Sequence, residues 1–179
     1  LIEGFQLVWN FSSFLAAALL LVIWVNATNW NDGRNGLATL SILGIAIPTA
    51  LLTPHSPTST LALFLSAVLL GFLPFNLQGR IFMGDAGSYL LGTAALLLGG
   101  GAWLFHHNPG PALGMAPLLI DGAQVLLTRW REKRPLMAGD RCHIYDRLIA
   151  RGWSLPAVLL LYSGSTLLFT LIGSLLFTT

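Results

Sequence analysis

The sequence predicts an all-α fold: a polytopic transmembrane helical bundle that occupies residues 1–179 as a single membrane domain. Composition is the first observation behind this prediction, with 55% hydrophobic residues, only 9% charged residues and a mean hydropathy of +0.74. Soluble domains carry roughly 25% charged residues. Because this chain lacks the polar exterior that a soluble core of its size needs, lipid is expected to cover most of its surface.

Long apolar stretches are the second observation, because about 20 apolar residues in a helix cross the hydrocarbon core of a bilayer. The chain contains six of them, which predicts six spans. Proline and glycine interrupt several, and bundled membrane helices tolerate such interruptions better than soluble helices do. In chain order, the predicted spans are residues 8–26, 37–54, 59–76, 87–105, 111–128 and 156–177.

The distribution of charge is the third observation, and it predicts the orientation. With six spans, all nine basic residues fall in loops on one side, together with five of the seven acidic residues. By the positive-inside rule this side is cytoplasmic and both termini face outward. The basic residues are Arg34, Arg80, Arg129, Arg131, Lys133, Arg134, Arg141, Arg147 and Arg151. Three cytoplasmic loops are therefore expected, near residues 26–37, 77–87 and 129–155.

The first cytoplasmic loop, residues 26–37, is rich in amides and glycine. Asn, Asp and Gly are favoured in turns, so a plain turn is one interpretation. The other is that these side chains, beside the indole of Trp30, bind a nucleobase and ribose through paired hydrogen-bond donors and acceptors. The candidate residues are Asn26, Asn29, Asn31, Asp32 and Asn35.

The second loop leads directly into an apolar helix and places Asp85 close to the helix N-terminus. Asp is a preferred N-cap and Ser88 follows three positions later, so a helix cap is one interpretation. In the alternative, Asp85 binds Mg²⁺, and the flanking Gly84 and Gly87 let a diphosphate approach free backbone N–H groups.

The third loop is the longest polar stretch, from residue 129 to residue 153, and it predicts a short helix at the membrane surface. Asp140 can cap this helix and Gly152 can end it, while Ile144 and Leu148 share one face. The element is therefore expected to be amphipathic and to lie along the interface.

Two interpretations of this third loop stay open. A basic amphipathic helix can anchor to anionic headgroups, here through Arg147 and Arg151. Alternatively, Arg141 and His143 bind a pyrophosphate.

A separate carboxylate, Asp121, lies within a predicted span, where it is costly unless it is paired, protonated or facing a polar cavity. It is expected to face the bundle interior, either in a structural hydrogen bond or in catalysis.

Together the three loops resemble those of the polyprenyl-phosphate N-acetylhexosamine-1-phosphate transferase superfamily, over nearly the whole chain. The strongest element is the segment Phe-Met-Gly-Asp-Ala-Gly-Ser at residues 82–88, whose aspartate the family uses to bind Mg²⁺. Asp121 matches an intramembrane aspartate of the branch that uses hexosamine substrates. The family's Asn-Ala-x-Asn-x-x-Asp-Gly loop is matched by Asn26, Asn29, Asp32 and Gly33.

The resemblance implies an enzyme that transfers a sugar 1-phosphate, an N-acetylhexosamine 1-phosphate, from a UDP-sugar to a polyprenyl phosphate carrier. It releases UMP and initiates cell-envelope glycan synthesis at the cytoplasmic face of the bacterial inner membrane. The implied cofactor is Mg²⁺ on Asp85, with Mn²⁺ as a substitute. No nucleic acid partner is expected, and a homodimer is left open. The expected catalytic residues are Asp85, Asp32 and His143, and the expected substrate-binding residues are Asn26, Asn29, Asn35, Gly84, Ser88 and Arg141.

This chain departs from the family pattern at three positions. Asn35 stands where the family usually has a second aspartate, and Tyr145 and Asp146 stand where many members have histidines of a His-x-His-His motif. These departures allow the substrate to differ from that of the best-known members.

An Asp-Asp-x-x-Asp motif, which the family carries in an earlier cytoplasmic loop, has no counterpart here. The chain is therefore expected to be the C-terminal part of a longer transferase and to be inactive alone. Two rival functions remain: a transporter or channel whose permeation path Asp121 lines, and a non-catalytic membrane scaffold. The concentration of ionisable residues at one surface favours the enzyme over the transporter.

Overall fold

The computed structural model describes residues 11–135 and 142–177, and all regular structure within these ranges is helical. This confirms the predicted all-α fold. The helices are α1 Phe11–Asn31, α2 Leu37–Leu52, α3 Pro57–Leu77, α4 Gly84–His106, α5 Gly110–Leu113, α6 Ala116–Arg131, α7 Ile144–Ala150 and α8 Leu155–Phe177.

Five segments are long and apolar enough to cross a membrane, and they correspond to α1, α3, α4, the run from α5 through α6, and α8. The remaining predicted span, residues 37–54, corresponds to α2, which has only 16 residues and a length of about 24 Å. Ile42, Ile45 and Ala46 of α2 are fully buried, and α2 packs against both α3 and α8. Because neighbouring helices surround it, α2 does not have to match the bilayer thickness. The chain is a multi-pass membrane protein.

The polar loops collect at one end of the bundle. Successive long helices joined by short connections reverse direction, so residues 32–36, 78–83, 132–135 and 142–154 lie at one end, and residues 53–56 and 107–109 lie at the other. We call the first end the polar end. The outer faces of the helices between the two ends carry large exposed apolar side chains, as expected of a surface that lipid covers.

Helix α1 extends five residues beyond the predicted end of its span, so the first loop shrinks to residues 32–36. The amides do not interrupt the helix, because their N–H groups bond to carbonyls one turn back. Asn26 Nδ2 donates to Val22 O at 2.7 Å and Asn31 Nδ2 donates to Ala27 O at 2.9 Å. As a correction to the prediction, Asn26 and Asn29 therefore lie on α1 and not in a loop.

The fifth predicted span, residues 111–128, is divided into the short α5 and the longer α6. Pro117 lies at the start of α6, where the missing N–H group has no helical partner to lose. Pro117 therefore begins a helix and does not interrupt one.

The short helix predicted in the third loop is α7, but it docks on the bundle. Tyr145 and Asp146 in its first turn are buried, and Tyr145 packs with Leu37 and Leu159. Gly152, with φ of +92°, follows its last turn and ends it as predicted. The expected cap, Asp140, lies outside the described residues, and His143 occupies the N-cap position.

Candidate active site

Three of the predicted site residues meet where α1 ends and α4 begins. Asn29 Nδ2 donates to Asp85 Oδ1 at 3.0 Å and to Ser88 Oγ at 2.9 Å. The Ser88 hydroxyl also bonds to the carbonyl oxygen of Asp85 at 3.1 Å. Residues 56 and 59 positions apart in the sequence therefore form one hydrogen-bonded group.

A glycine one helical turn from Ser88 permits this approach. A Cβ atom added at Gly92 would lie 2.8 Å from Val25 Cα and 3.0 Å from Trp24 O, both of them backbone atoms. Only hydrogen fits between the two helices here. The close approach of α1 and α4 at Gly92 brings Asn29, one turn along α1 from Val25, opposite Ser88.

The start of α4 does not use Asp85 as its cap. Met83 occupies the N-cap position without a side-chain capping bond, and Asp85 lies within the first turn. Gly84 has φ of +66°, and the position that a Cβ atom would take on it is open. The carboxylate of Asp85 is thus engaged by Asn29, and it lies beside the free N–H groups of a helix N-terminus, which favour negatively charged ligands.

Asp32 brings a second carboxylate to this group. Burial, and secondarily the negative charge of Asp85, raises the pKa of Asp32 to about 6 from an ordinary value of 3.8. Both causes penalise its charged form. A cation held between the two carboxylates would remove the penalty that arises from Asp85.

A second polar group surrounds the intramembrane carboxylate Asp121, which is fully buried on α6. His143 Nδ1 is hydrogen-bonded to Asp121 Oδ2. Asp121 Oδ1 accepts from the backbone N–H of Ile144 at 2.6 Å and from the hydroxyl of Tyr162 at 3.0 Å. The carboxylate therefore faces the bundle interior, and both of its oxygens have partners.

Tyr145 links the two groups. Its ring stacks on that of His143 with centroids 5.0 Å apart, and its hydroxyl donates to Trp30 O at 2.9 Å. Burial, followed by the negative charges of Asp146 and Asp121, raises the pKa of Tyr145 well above its ordinary range. The phenol therefore stays protonated and remains a donor. As a result, the end of α1 and the start of α7 belong to one continuous site.

The remaining predicted site residues lie elsewhere. Asn26 lines an apolar groove between α1 and α6, and Asn35 lies beside Gly79, so neither bonds to Asp85. Arg141 lies outside the described residues. The surface-anchor interpretation of Arg147 is incomplete, because this residue reaches Gln124 on α6: in the amide orientation that satisfies both groups, the Gln124 oxygen accepts from Nη2 at 2.9 Å.

Two polar residues of the site were not assigned to it from the sequence. Tyr162 lies within a long apolar span, and the need of its buried hydroxyl for a partner was the available indication. Asn76, at the end of α3, accepts from the N–H of Gly36 at 2.7 Å and donates to Ile81 O at 3.0 Å. It ties the first polar loop to the second.

The donor set fits a hard divalent cation. Within residues 11–135 and 142–177, no three His, Cys, Asp or Glu residues come together as a complete metal site. Mg²⁺ commonly needs only one or two carboxylates, because substrate phosphates and water supply its other oxygen ligands. Asp85 and Asp32 supply two carboxylates, and the amide of Asn29 lies beside them.

Comparison with known proteins identifies the family. The model of glycosyl transferase family 4 matches residues 2–99, which include Asn29, Asp32 and Asp85. The chain belongs to this family. The second polar group, around Asp121 and His143, lies beyond the stretch that this glycosyl transferase family 4 model matches.

Named relatives agree with this membership. The chain is 34% identical to a probable undecaprenyl-phosphate N-acetylglucosaminyl 1-phosphate transferase of Bacillus subtilis, over 86% of the chain and 45% of that protein. It is 33% identical to a decaprenyl-phosphate N-acetylglucosaminephosphotransferase of Mycolicibacterium smegmatis, over 84% of the chain and 44% of that protein. A phospho-N-acetylmuramoyl-pentapeptide-transferase of Deinococcus radiodurans is 40% identical over 86% of the chain and 47% of its own length. The chain spans about half the length of these relatives.

Proposed function

We propose that the protein transfers an N-acetylhexosamine 1-phosphate from a UDP-sugar to a polyprenyl phosphate, releasing UMP, and so initiates a cell-envelope glycan. The observation that carries this proposal is the Asn29 hydrogen bond to Asp85, with Asp32 beside it, at the N-terminus of α4. Membership of glycosyl transferase family 4 supports it, as do the names of the relatives, which combine a polyprenyl phosphate with an N-acetylglucosamine phosphate.

The reaction is a phosphoryl transfer. A carrier phosphate oxygen forms a bond to the β-phosphorus of the UDP-sugar, and the bond from that phosphorus to the bridging oxygen breaks, so that UMP leaves with the bond electrons. Such a reaction needs positioning and neutralisation of negative charge more than covalent help. Mg²⁺, held by Asp85 with Asp32 and Asn29, would supply the positive charge that the diphosphate requires.

The protein's own residues supply the rest of the electrostatics. The N-terminus of α4 presents backbone N–H groups next to Asp85, and open space around Gly84 leaves room for a diphosphate to approach them. His143 is held by Asp121 and is the third catalytic candidate. With Nδ1–H donating to Asp121, Nε2 is the ring nitrogen left for a phosphate oxygen, and it would donate to that oxygen when the ring carries both protons.

The polar end belongs, in this proposal, to the cytoplasmic side of the bacterial inner membrane. UDP-sugars are soluble, whereas the tail of the carrier stays in lipid, so the reaction requires a site at the interface. The basic residues of the sequence gather in the segments at this end, in agreement with the positive-inside rule.

The environment of Asp121 favours an enzyme over a transporter. A residue that lines a permeation path would expose its carboxylate to a water-filled cavity. Asp121 is fully buried, and its oxygens bond to His143, Ile144 and Tyr162.

The test is Asp85→Asn in the full-length gene product. The amide keeps the size of the side chain but loses the negative charge that would bind the cation. We expect Mg²⁺-dependent transfer of labelled sugar phosphate from UDP-N-acetylglucosamine to polyprenyl phosphate to fall at least about 100-fold in isolated membranes. Glu132→Gln is the matched control, because Glu132 is an exposed carboxylate that pairs only with Arg134 in the described residues.

Two results would contradict different parts of the proposal. Undiminished transfer by Asp85→Asn would reject the metal assignment. If the unmodified protein transfers sugar phosphate from none of a panel of UDP-sugars, the proposed reaction itself is wrong.

A further inference from the structure

Four consecutive residues, 143–146, each bond to a residue elsewhere in the bundle. The first two bond to the carboxylate of Asp121 on α6, and the next two bond to the end of α1 and the loop that follows it, at Trp30 and Arg34. We call residues 143–146 with these three partners the clasp. A helix that merely lay on the membrane surface would not need these bonds to the bundle at every residue of its start.

The pair Arg34 and Asp146 forms the charged part of the clasp. Nη2 of Arg34 donates to Asp146 Oδ1 at 2.6 Å and Nε donates to the same oxygen at 3.2 Å. The side chain of Asp146 is only 8% exposed, against 33% for Arg34. A buried carboxylate is costly without a cation, so Asp146 is stable in this position only while Arg34 stays bound to it.

Tyr145 forms the uncharged part and reaches the same stretch of chain. Besides its bond to Trp30 O, its hydroxyl oxygen lies so close to Gly33 that a Cβ atom there would overlap it. Tyr145 and Asp146 thus hold residues 30, 33 and 34. Asp32 lies between these fixed points.

We propose that Tyr145, Asp146 and Arg34 are positioning residues that fasten α7 to the segment 30–34 and thereby hold Asp32 next to Asp85. None of the three needs to touch substrate. They act through the backbone that carries Asp32, while Asp121 holds the other side of the clasp through His143 and Ile144. The effect of the clasp on catalysis rests on the proposed function, but the attachment of α7 does not.

The first measurement follows the attachment without using activity. Cys142 is the one cysteine of the sequence, is partly buried and precedes the clasp directly. The measurement is the rate of maleimide labelling at Cys142, mapped by mass spectrometry of the full-length protein. We expect this rate to rise at least about threefold in Arg34→Gln and in Asp146→Asn, because α7 opens more often. Arg151→Gln, an exposed arginine directly after α7, should leave the rate unchanged.

The charge-swapped variant R34E/D146R separates a lost pair from a lost fold. It restores opposite charges at the same two positions, so labelling at Cys142 should return towards the rate of the parent. Where Arg34→Gln fails to accumulate in membranes, this variant and Tyr145→Phe, which removes one hydrogen bond and keeps the ring, carry the same test.

The second measurement is the transfer reaction. Displacing a catalytic group by about 1 Å can lower the rate up to 100-fold. We therefore expect kcat to fall about tenfold or more in Arg34→Gln and to recover in R34E/D146R. The control Arg151→Gln should keep the parental kcat. Unchanged labelling in both single variants would overturn the clasp whatever the activity. Raised labelling together with a parental kcat would overturn its role in positioning Asp32, whereas raised labelling with no transfer by the parent would count against the proposed function alone.

Discussion

Two effects raise the pKa of the Asp32 carboxyl group. Burial and the nearby charge of Asp85 both disfavour its ionised form and raise its pKa to about 6 from 3.8. Between these two pH values the folded state keeps a proton that the unfolded state has lost. The contribution of Asp32 to stability therefore becomes more favourable as the pH falls from about 7 towards 4, opposite to the contribution of a salt-bridged aspartate.

This sign can be measured with Asp32→Asn, which does not titrate. In EDTA, so that no divalent cation masks the effect, we expect the thermal midpoint of the unmodified protein to gain on that of Asp32→Asn as the pH is lowered from 7 to 5. Thermal unfolding of detergent-purified protein at several pH values measures the difference. A thermal midpoint of the unmodified protein that stays constant or falls relative to that of Asp32→Asn as the pH is lowered would contradict the raised pKa.

The contact between α1 and α4 shows how one glycine controls the position of an element. Gly92 faces the backbone of α1, whereas Gly100, two turns further along the same helix, has no atom within 4 Å of the position that a Cβ atom would take. Close backbone approach through small residues is a common way for membrane helices to associate. Because Asn29 and Ser88 lie one turn along from this contact, the distance between the helices decides whether the Asn29 amide reaches Asp85.

The two glycines provide a matched pair of variants. We expect Gly92→Ala to destabilise the bundle by about 1–3 kcal/mol, since backbone atoms cannot move aside, and to reduce transfer activity with it. Gly100→Ala should be neutral, or stabilising by up to about 1 kcal/mol, because alanine favours a helix more than glycine does. Thermal unfolding in detergent compares them, and equal stability of the two variants would mean that α1 and α4 do not meet at Gly92.

At the scale of the whole molecule, the fold places lipid around the outside and protein around α2. The helix that is too short to cross a bilayer unaided is thus the one that other helices enclose. The connections 32–36 and 78–83 and helix α7 lie at one end, and the positive-inside rule predicts that this end faces the cytoplasm.

Orientation can be tested by cysteine accessibility in a Cys142→Ser background, with any other cysteine of the expressed protein also replaced. His55→Cys lies in the connection between α2 and α3, and Arg80→Cys lies in the connection between α3 and α4; both positions are exposed. A membrane-impermeant maleimide should label His55→Cys in intact cells and Arg80→Cys only after permeabilisation. Labelling of both in intact cells, or the reverse order, would contradict the orientation.

Much of the fold, and several residues of the candidate site, could be predicted from the sequence. Long apolar runs locate the helices because a membrane span must satisfy its backbone internally and face lipid outside, and both properties are visible in a linear stretch. The motif around Asp85 and the amide-rich segment near Asp32 predicted residues that do meet in three dimensions. The roles assigned to these residues stay predictions.

Side-chain partners were harder to predict, because they join residues far apart in the chain. The sequence did not indicate that Asn29 would lie on a helix, that Asn26 would bond to its own helix, or that Tyr145 and Asp146 would bind within the protein. Each outcome depends on which face of a helix meets its neighbour, and apolar spans carry little pattern to decide it.

The sequence by itself determined that this chain is a multi-pass helical membrane protein with its basic residues gathered in three segments, because these properties depend on length, composition and order alone. Only the tertiary structure decided that Asn29 would bridge Asp85 and Ser88, that Asp121 would hold His143, and that α7 would fasten to Trp30 and Arg34. These contacts rest on distances of about 3 Å between separate helices, and such distances are set by how closely the helices pack.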